Sequence, residues 1–177
     1  MEMAEMLNRF NLVALEVNVS CPNTGHAIKQ AEIVVNSVKA VKRSSRHPTI
    51  VKVSADQDYL VIARGLVGIA EAISLNSVPW KTVFINGEQT PLVKLERQVG
   101  GGGGGVSGKP AQKHNWAAVE ALAKQGLLPV IGPSVMEFED MEKLRSFGAK
   151  AISFGAIHLR TPWKPTTIVQ KEMKGRL

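Results

Sequence analysis

The chain has 177 residues, of which 44% are apolar and 21% charged, a balance that permits a buried core and excludes wholesale disorder. No apolar run approaches the roughly 20 residues of a membrane helix. The acidic N-terminal segment lacks the basic n-region and the apolar h-region of a secretory signal. One cysteine cannot form an intrachain disulfide, and four scattered histidines do not predict a metal site. A formal charge of +7 indicates an anionic ligand, and with only 5% aromatic residues and no nucleic-acid-binding motif a small anion is favoured over a nucleic acid. The alternative is that the basic residues lie at solvated helix ends, where they only complement the helix dipole. We therefore expect one cytoplasmic domain that covers residues 1–177.

Strand and helix periodicities alternate along the chain. Five apolar, β-rich segments end abruptly in polar or glycine residues, which is typical of strands buried on both faces of a sheet. The predicted strands are Leu12–Val19, Pro48–Ser54, Ala72–Ser77, Leu128–Gly132 and Lys150–Gly155. The helices predicted to follow them are Ala27–Val41, Asp56–Gly65, Ala111–Gly126, Glu137–Gly148 and Thr166–Lys174, and the segment Val78–Pro110 is predicted to be irregular.

This alternation predicts an α/β fold with a parallel sheet and crossover helices. A complete (β/α)8 barrel has eight strands and typically about 250 residues. Five strands in 177 residues therefore predict either an open sheet or a TIM-barrel-type fold reduced to about five C-terminal β/α units. Ligands bind at the carboxyl ends of the strands in both architectures, so the residues that follow the strands are the candidate site residues.

The first predicted strand ends in polar residues and the only cysteine of the chain. Cys21 follows the strand in a polar loop, where a thiolate could act as a base or nucleophile; the alternative is a small buried cysteine without a chemical role. Asn18 lies inside the apolar strand and needs a hydrogen-bond partner. Asn23 follows the cysteine and is either a turn residue or a second amide suited to a planar heterocycle.

The next two predicted strands also carry polar residues at or near their ends. Lys52 interrupts the apolar second strand, and a buried lysine requires a nearby anion or acceptor. If this strand were an edge strand, Lys52 would instead point to solvent. Asn76 and Ser77 end the third strand in the same way as the first.

Glycine-rich turns follow the later strands. The run of six glycines at 100–105 continues to Gly108 and directly precedes a predicted helix, where backbone N–H groups can bind a phosphate. It matches neither the dinucleotide nor the Walker pattern, and glycine runs are often flexible linkers. With the turns at Ser134-Val135 and Gly155-Ala156, it nevertheless predicts a phosphate pocket at one end of the sheet.

These elements, taken in order, resemble the dihydroorotate dehydrogenases of the soluble, cysteine-base class (class 1). The resemblance extends from about Leu12 to Pro165, and its most specific part is the Asn-x-Ser-Cys-Pro-Asn element, which is shared chiefly with the related dihydropyrimidine dehydrogenases. The matching elements are Asn18-Val19-Ser20-Cys21-Pro22-Asn23, Val51-Lys52-Val53, Leu75-Asn76-Ser77, Gly104-Gly105-Val106-Ser107-Gly108-Lys109-Pro110 and Ser153-Phe154-Gly155-Ala156.

The resemblance implies an FMN-binding (β/α)8 barrel that oxidises dihydroorotate to orotate in pyrimidine biosynthesis. By position, Cys21 resembles the base that removes the C5 proton, and Lys52 resembles the lysine near the N1–O2 edge of the flavin. The residues that resemble the pyrimidine-binding set are Asn18, Asn23, Asn76 and Ser77. The residues that fall where backbone groups hold the FMN ring and phosphate are Gly108, Ser134, Val135, Gly155 and Ala156.

The chain departs from the family pattern in two respects, and both affect the expected function. The family commonly has a Gly-Gly pair where this chain has Ser134-Val135, so we expect side chains to crowd the phosphate turn. The first three barrel strands have no counterpart here, which leaves the predicted strands at Leu12–Val19 and Lys150–Gly155 with open edges. We therefore expect weak FMN binding and a homo-oligomer or a partner subunit that completes the barrel.

Two other functions are consistent with the sequence. One is a pyrimidine reductase of the dihydropyrimidine dehydrogenase type, which would act on a substrate without the carboxylate of orotate. The other, of a different class, is a truncated and catalytically inactive fragment, or a split-barrel subunit that needs a partner. In the two catalytic hypotheses the ligand is a small pyrimidine, and neither nucleic acid nor a membrane is involved.

Overall fold

The computed structural model of the protein describes residues 2–20, 31–75, 77–92, 94 and 103–175. The strands are β1 (Leu15–Asn18), β2 (Thr49–Val53), β3 (Ala72–Leu75), β4 (Val78–Pro79), β5 (Gly105–Val106), β6 (Val130–Gly132) and β7 (Ala151–Ile152). The α-helices are α1 (Glu2–Leu7), α2 (Ala31–Ser44), α3 (Tyr59–Gly65), α4 (Trp80–Val83), α5 (Gln112–Gln125), α6 (Phe138–Ser146), α7 (Ile157–Arg160) and α8 (Lys164–Lys174), and a 3-10 turn at Lys109–Ala111 precedes α5.

Five strands form one parallel sheet in the order β1-β2-β3-β6-β7. Each strand pairs with the next strand of this sheet along the chain, with the β4–β5 hairpin intervening between β3 and β6, and the order contains no reversal. A doubly wound open sheet has a point at which the strand order reverses, whereas consecutive parallel neighbours are the arrangement of a barrel wall. The chain therefore has the barrel-type α/β fold, with five consecutive β/α units.

The helices cover one face of this sheet and bury its core. In β2, Thr49, Val51 and Val53 are fully buried, whereas the alternate residues Ile50 and Lys52 are half-buried on the opposite face. The buried face packs against apolar side chains of the helices, among them Val34, Val38, Ile62, Leu66 and Val119. Each such side chain contributes about 1.5–3 kcal/mol when it is fully buried. The opposite face is the one that the inside of a barrel would present.

The sequence did not predict α1 or the short hairpin formed by β4 and β5. A helix of six residues is too short for a periodic apolar pattern, and the residue after it is tied to the end of α2 and the following loop by hydrogen bonds that are distant in sequence. Asn8 donates to the carbonyl of Ser44 at 2.8 Å and accepts from the backbone N–H of Arg46 at 2.9 Å. The hairpin pairs Val78 with Val106, within the segment that was expected to be irregular.

Candidate active site

A cavity of about 330 Å³ lies at the carboxyl ends of the strands, on the face opposite the helices. The fold brings together there six of the eleven residues that the sequence predicted for the site: Lys52, Ser77, Gly108, Ser134, Gly155 and Ala156. The lining also contains polar residues that the sequence reasoning missed: Glu16, Ser74, Ser107, Asn115 and Ser153. Cys21, Asn23 and Asn76 lie outside the described residues.

Lys52 takes part in a polar network that crosses three strands. Its Nζ atom forms an ion pair with Glu16, and the hydroxyl of Ser74 donates to the same carboxylate at 3.0 Å. The side chains of Lys52 and Glu16 remain 28% and 39% exposed, respectively. Lys52 therefore has the anionic partner that a lysine in an apolar strand requires, and both charges stand at the cavity wall.

Asn18 is opposite Lys52 in the sheet register but is not part of the described cavity lining. Its Oδ1 atom accepts hydrogen bonds from the backbone N–H of Ser20 at 3.2 Å and from the hydroxyl of Ser20 at 3.4 Å. The Asn18 amide therefore stabilises the turn in which the chain leaves β1. This is the turn that leads to Cys21.

Gln57 connects the ends of two neighbouring strands, and the sequence analysis did not identify it. Its Oε1 atom accepts from the backbone N–H of Ser54 at 2.8 Å, and its Nε2 atom donates to the carbonyl of Val19 at 3.1 Å. The side chain is only 8% exposed. Because it bonds the chain just after β1 and just after β2, Gln57 fixes the backbone on both sides of the cavity edge.

The turn after β6 is held by side chains from the first half of α5. Ser134 has φ of 68°, the left-handed conformation that glycine adopts most readily. Its carbonyl accepts from Gln112 Nε2 at 2.9 Å, and its hydroxyl accepts from Asn115 Nδ2 at 3.1 Å. Trp116 Nε1 donates to the carbonyl of Pro133 at 3.1 Å. The next residue, Val135, is 1% exposed and packs in the core, so its side chain does not crowd the cavity.

Two glycines keep the cavity open on its other side. Gly108 has φ of 76° and ψ of −147°, which residues with a side chain do not readily adopt. A Cβ atom added to it would lie 3.2 Å from Cβ of Ala156 and 3.5 Å from Sδ of Met136. A Cβ atom added to Gly155 would meet nothing within 4 Å. The glycine turns thus let two loops approach each other and leave space beside them.

The family model for dihydroorotate dehydrogenase matches residues 1–177. The chain belongs to the dihydroorotate dehydrogenase family. The catalytic subunit of dihydroorotate dehydrogenase B (NAD(+)) from Geotalea daltonii is 32% identical, over 94% of this chain and 55% of that protein. A putative dihydroorotate dehydrogenase A (fumarate) from Solibacter usitatus is 27% identical, over 96% of this chain and 57% of that protein.

The fold of this dihydroorotate dehydrogenase family member also resembles a solved structure. A ligand-free dihydroorotate dehydrogenase from Eimeria tenella superposes with a TM-score of 0.71 at 18% identity, over 94% of this chain and 52% of that chain. The chain thus spans about half the length of the relatives it matches. The likeness to the Eimeria structure concerns the fold alone.

No group of three or more His, Cys, Asp or Glu side chains is arranged to hold a metal ion within the described residues. In the same part of the chain, no helix is long and apolar enough to cross a membrane. The polar groups of the described cavity are the ion pair, the hydroxyls, one amide and the backbone of the glycine turns.

Proposed function

We propose that this chain forms the FMN- and substrate-binding wall of an enzyme that oxidises dihydroorotate to orotate in pyrimidine biosynthesis. The observation that carries the proposal is the cavity itself, in which Lys52 and the turns at Ser134 and Gly155 meet at one edge of a barrel-type sheet. Membership of the dihydroorotate dehydrogenase family supports the same reaction.

The residues of the cavity fit a flavin mononucleotide. A Cβ atom added to Gly155 would meet nothing within 4 Å, and Gly108 has a backbone conformation that favours glycine. Both features leave room for a ligand close to the backbone. Gly108, Ser134, Val135, Gly155 and Ala156 would hold the ring and phosphate through backbone groups, as the resemblance to the family implies. When bound, FMN supplies a hydride acceptor. Lys52 would place positive charge near the ring, where it favours the reduced, anionic form.

The pyrimidine would be bound and deprotonated by residues at the ends of β1 and β3. Cys21 is proposed as the base that removes the C5 proton, and Asn18, Asn23, Asn76 and Ser77 as the residues that hydrogen-bond the heterocycle. Ser77 lines the cavity. The hydrogen bond from Gln57 to the carbonyl of Val19 holds the backbone two residues before Cys21. It would limit the movement of a base that must approach one carbon atom.

A second candidate is a pyrimidine reductase of the dihydropyrimidine dehydrogenase type. One observation favours it. Lys52 is the cationic side chain in the described lining of the cavity, and its charge is offset by the ion pair with Glu16. The carboxylate of dihydroorotate calls for a cationic or multi-donor partner, whereas dihydrouracil does not.

The two candidates are separated by the choice of reductant. FMN-loaded protein is mixed anaerobically with dihydroorotate or with dihydrouracil, and the flavin absorbance is followed. Faster bleaching by dihydroorotate supports the proposed function, and faster bleaching by dihydrouracil supports the second candidate. No bleaching by either compound contradicts both. Protein without added substrate, kept under the same light and gas phase, is the control for photoreduction.

A further inference from the structure

The turn after β6 contains a residue in an unfavourable backbone conformation. Among the non-glycine residues that the structure describes, Ser134 is the one with positive φ, at 68°. A side chain in this conformation approaches its own backbone too closely, so the conformation persists only where the surroundings enforce it. Ser134 lines the cavity, and the strain is therefore placed at the candidate site.

Helix α5 supplies the groups that enforce this conformation. Asn115 donates to the hydroxyl of Ser134 at 3.1 Å, and Gln112 donates to its carbonyl at 2.9 Å. Gln112 also donates to Asp140 at 2.9 Å, and the same carboxylate oxygen accepts from the backbone N–H of Met136 at 2.9 Å. Both ends of the turn are thus fixed. Asn115 is the residue that holds the side chain of Ser134.

Asn115 is poorly explained as a residue that only stabilises the fold. It is 1% exposed, and its Oδ1 atom has no hydrogen-bond partner among the described residues. A buried carbonyl oxygen without a partner lowers stability. Its one recorded side-chain hydrogen bond within the described residues is the bond to Ser134.

We propose that Asn115 is a positioning residue that keeps Ser134 in the left-handed conformation and thereby shapes the turn that receives the phosphate of FMN. The proposal rests on the proposed function for the identity of the ligand. Asn115 acts through Ser134. Where a glycine stands at the position of Ser134, the turn needs no such support, because glycine adopts this conformation without a side-chain penalty.

The test is a double-mutant cycle read with two flavins. The unchanged chain, Asn115→Leu, Ser134→Gly and the double variant are titrated with FMN and with riboflavin, which lacks the phosphate, by quenching of flavin fluorescence. We expect Asn115→Leu to weaken FMN about fivefold, the effect of one lost neutral hydrogen bond, and to leave riboflavin unchanged. We expect Ser134→Gly to restore FMN affinity in the Asn115→Leu background. Asn36→Leu, an exposed position on α2, is the matched control.

Two results of the titrations would overturn the proposal. Equal weakening of both flavins by Asn115→Leu would show a general structural role, and a failure of Ser134→Gly to restore FMN affinity would show that the backbone of Ser134 is not what Asn115 controls. Both variants are compared with the unchanged chain only where their circular dichroism spectra agree with its spectrum.

A second readout of the cycle needs no flavin. In urea unfolding, Ser134→Gly should stabilise the Asn115→Leu chain more than it stabilises the unchanged chain, because only the former has lost the support for left-handed Ser134. Equal stabilisation in the two backgrounds would overturn the proposal. If the unchanged chain binds neither flavin, the proposed function fails, and this unfolding cycle still decides whether Asn115 controls Ser134.

Discussion

Lys52 and Glu16 form an ion pair across neighbouring strands, on the sheet face that the helices leave uncovered. Ser74 on the third strand donates to the same carboxylate at 3.0 Å. Both charged side chains are partly exposed, and ion pairs of this kind contribute only about 0–1 kcal/mol to stability. The main physical effect of Glu16 is therefore to offset the charge of Lys52 inside the cavity.

Replacement of Glu16 by Gln should raise the reduction potential of bound FMN. The substitution leaves Lys52 without its anionic partner, so the negative charge of the reduced ring is better stabilised. A change of about 1 kcal/mol corresponds to roughly 20 mV for a two-electron couple. The potential is measured against redox dyes, with Glu139→Gln, from an exposed pair with Lys171, as the control. An unchanged or lower potential would contradict the assigned role of Glu16.

Gly108 should tolerate no side chain. Alanine at this position would combine a backbone conformation reserved for glycine with a Cβ contact of 3.2 Å to Ala156, and we expect a loss of about 1–3 kcal/mol in the free energy of unfolding. Gly68→Ala is the matched control, because Gly68 has φ of 75° but open space around an added Cβ. Urea unfolding of both variants measures the difference, and equal losses would show that the contact with Ala156 is unimportant.

The strand ends of the site could be predicted from the sequence, and the reason is geometric. Parallel strands align their carboxyl ends at one edge, so Lys52, Ser77 and Ser134 were expected near one another, and all three line the cavity. Glu16 could have been found by the same reasoning. It occupies the alternate position to Asn18 in an apolar strand, and two residues of separation place both on one face.

The contacts made by helices could not be predicted in this way. Asn115 and Gln112 reach the turn at Ser134 from α5, and which face of a helix meets which turn depends on packing that a single sequence does not specify. The same holds for Gln57, whose acceptor at Val19 is 38 residues away. The left-handed conformation of Ser134 was also unexpected, since serine gives no local signal for it.

Stability should fall in acid through Glu71, at the end of the sheet opposite the cavity. Burial raises the pKa of Glu71, but hydrogen bonds from Lys42 and from the backbone N–H of Thr49, together with the charge of Lys42, outweigh it and hold the pKa below its ordinary value of 4.5. The stabilisation is therefore fully present above about pH 4.5 and is lost as the pH falls through the lower, folded-state value.

The variant Glu71→Gln tests this pH dependence. It should be less stable than the unchanged chain at pH 7, and the difference between the two should shrink as the pH is lowered below 4.5. Urea unfolding at a series of pH values measures it. Glu120→Gln, from the exposed pair with Lys124 within α5, should show a smaller effect at every pH. A constant difference between Glu71→Gln and the unchanged chain would contradict the prediction.

The purified chain should self-associate through the edges of its sheet. Within the described residues, β1 and β7 are the outermost strands, and exposed strand edges pair with other chains. Size-exclusion chromatography with light scattering should give a mass above the 19.1 kDa of one chain. Ala151→Lys, at an exposed position in β7, should reduce association, whereas Ile85→Lys, at an exposed loop position, should not. A monomer at all concentrations would contradict this expectation.

The most direct test of the central claim is the rate at which dihydroorotate bleaches the flavin of FMN-loaded protein in a single anaerobic turnover, with and without the thiol of Cys21. We predict bleaching by the unchanged chain and a rate at least about 100-fold lower for Cys21→Ser, the usual contribution of a general base. The FMN content of both proteins is matched before mixing. Absence of bleaching in the unchanged chain, or an equal rate in Cys21→Ser, would contradict the account of a cysteine-dependent dihydroorotate oxidation.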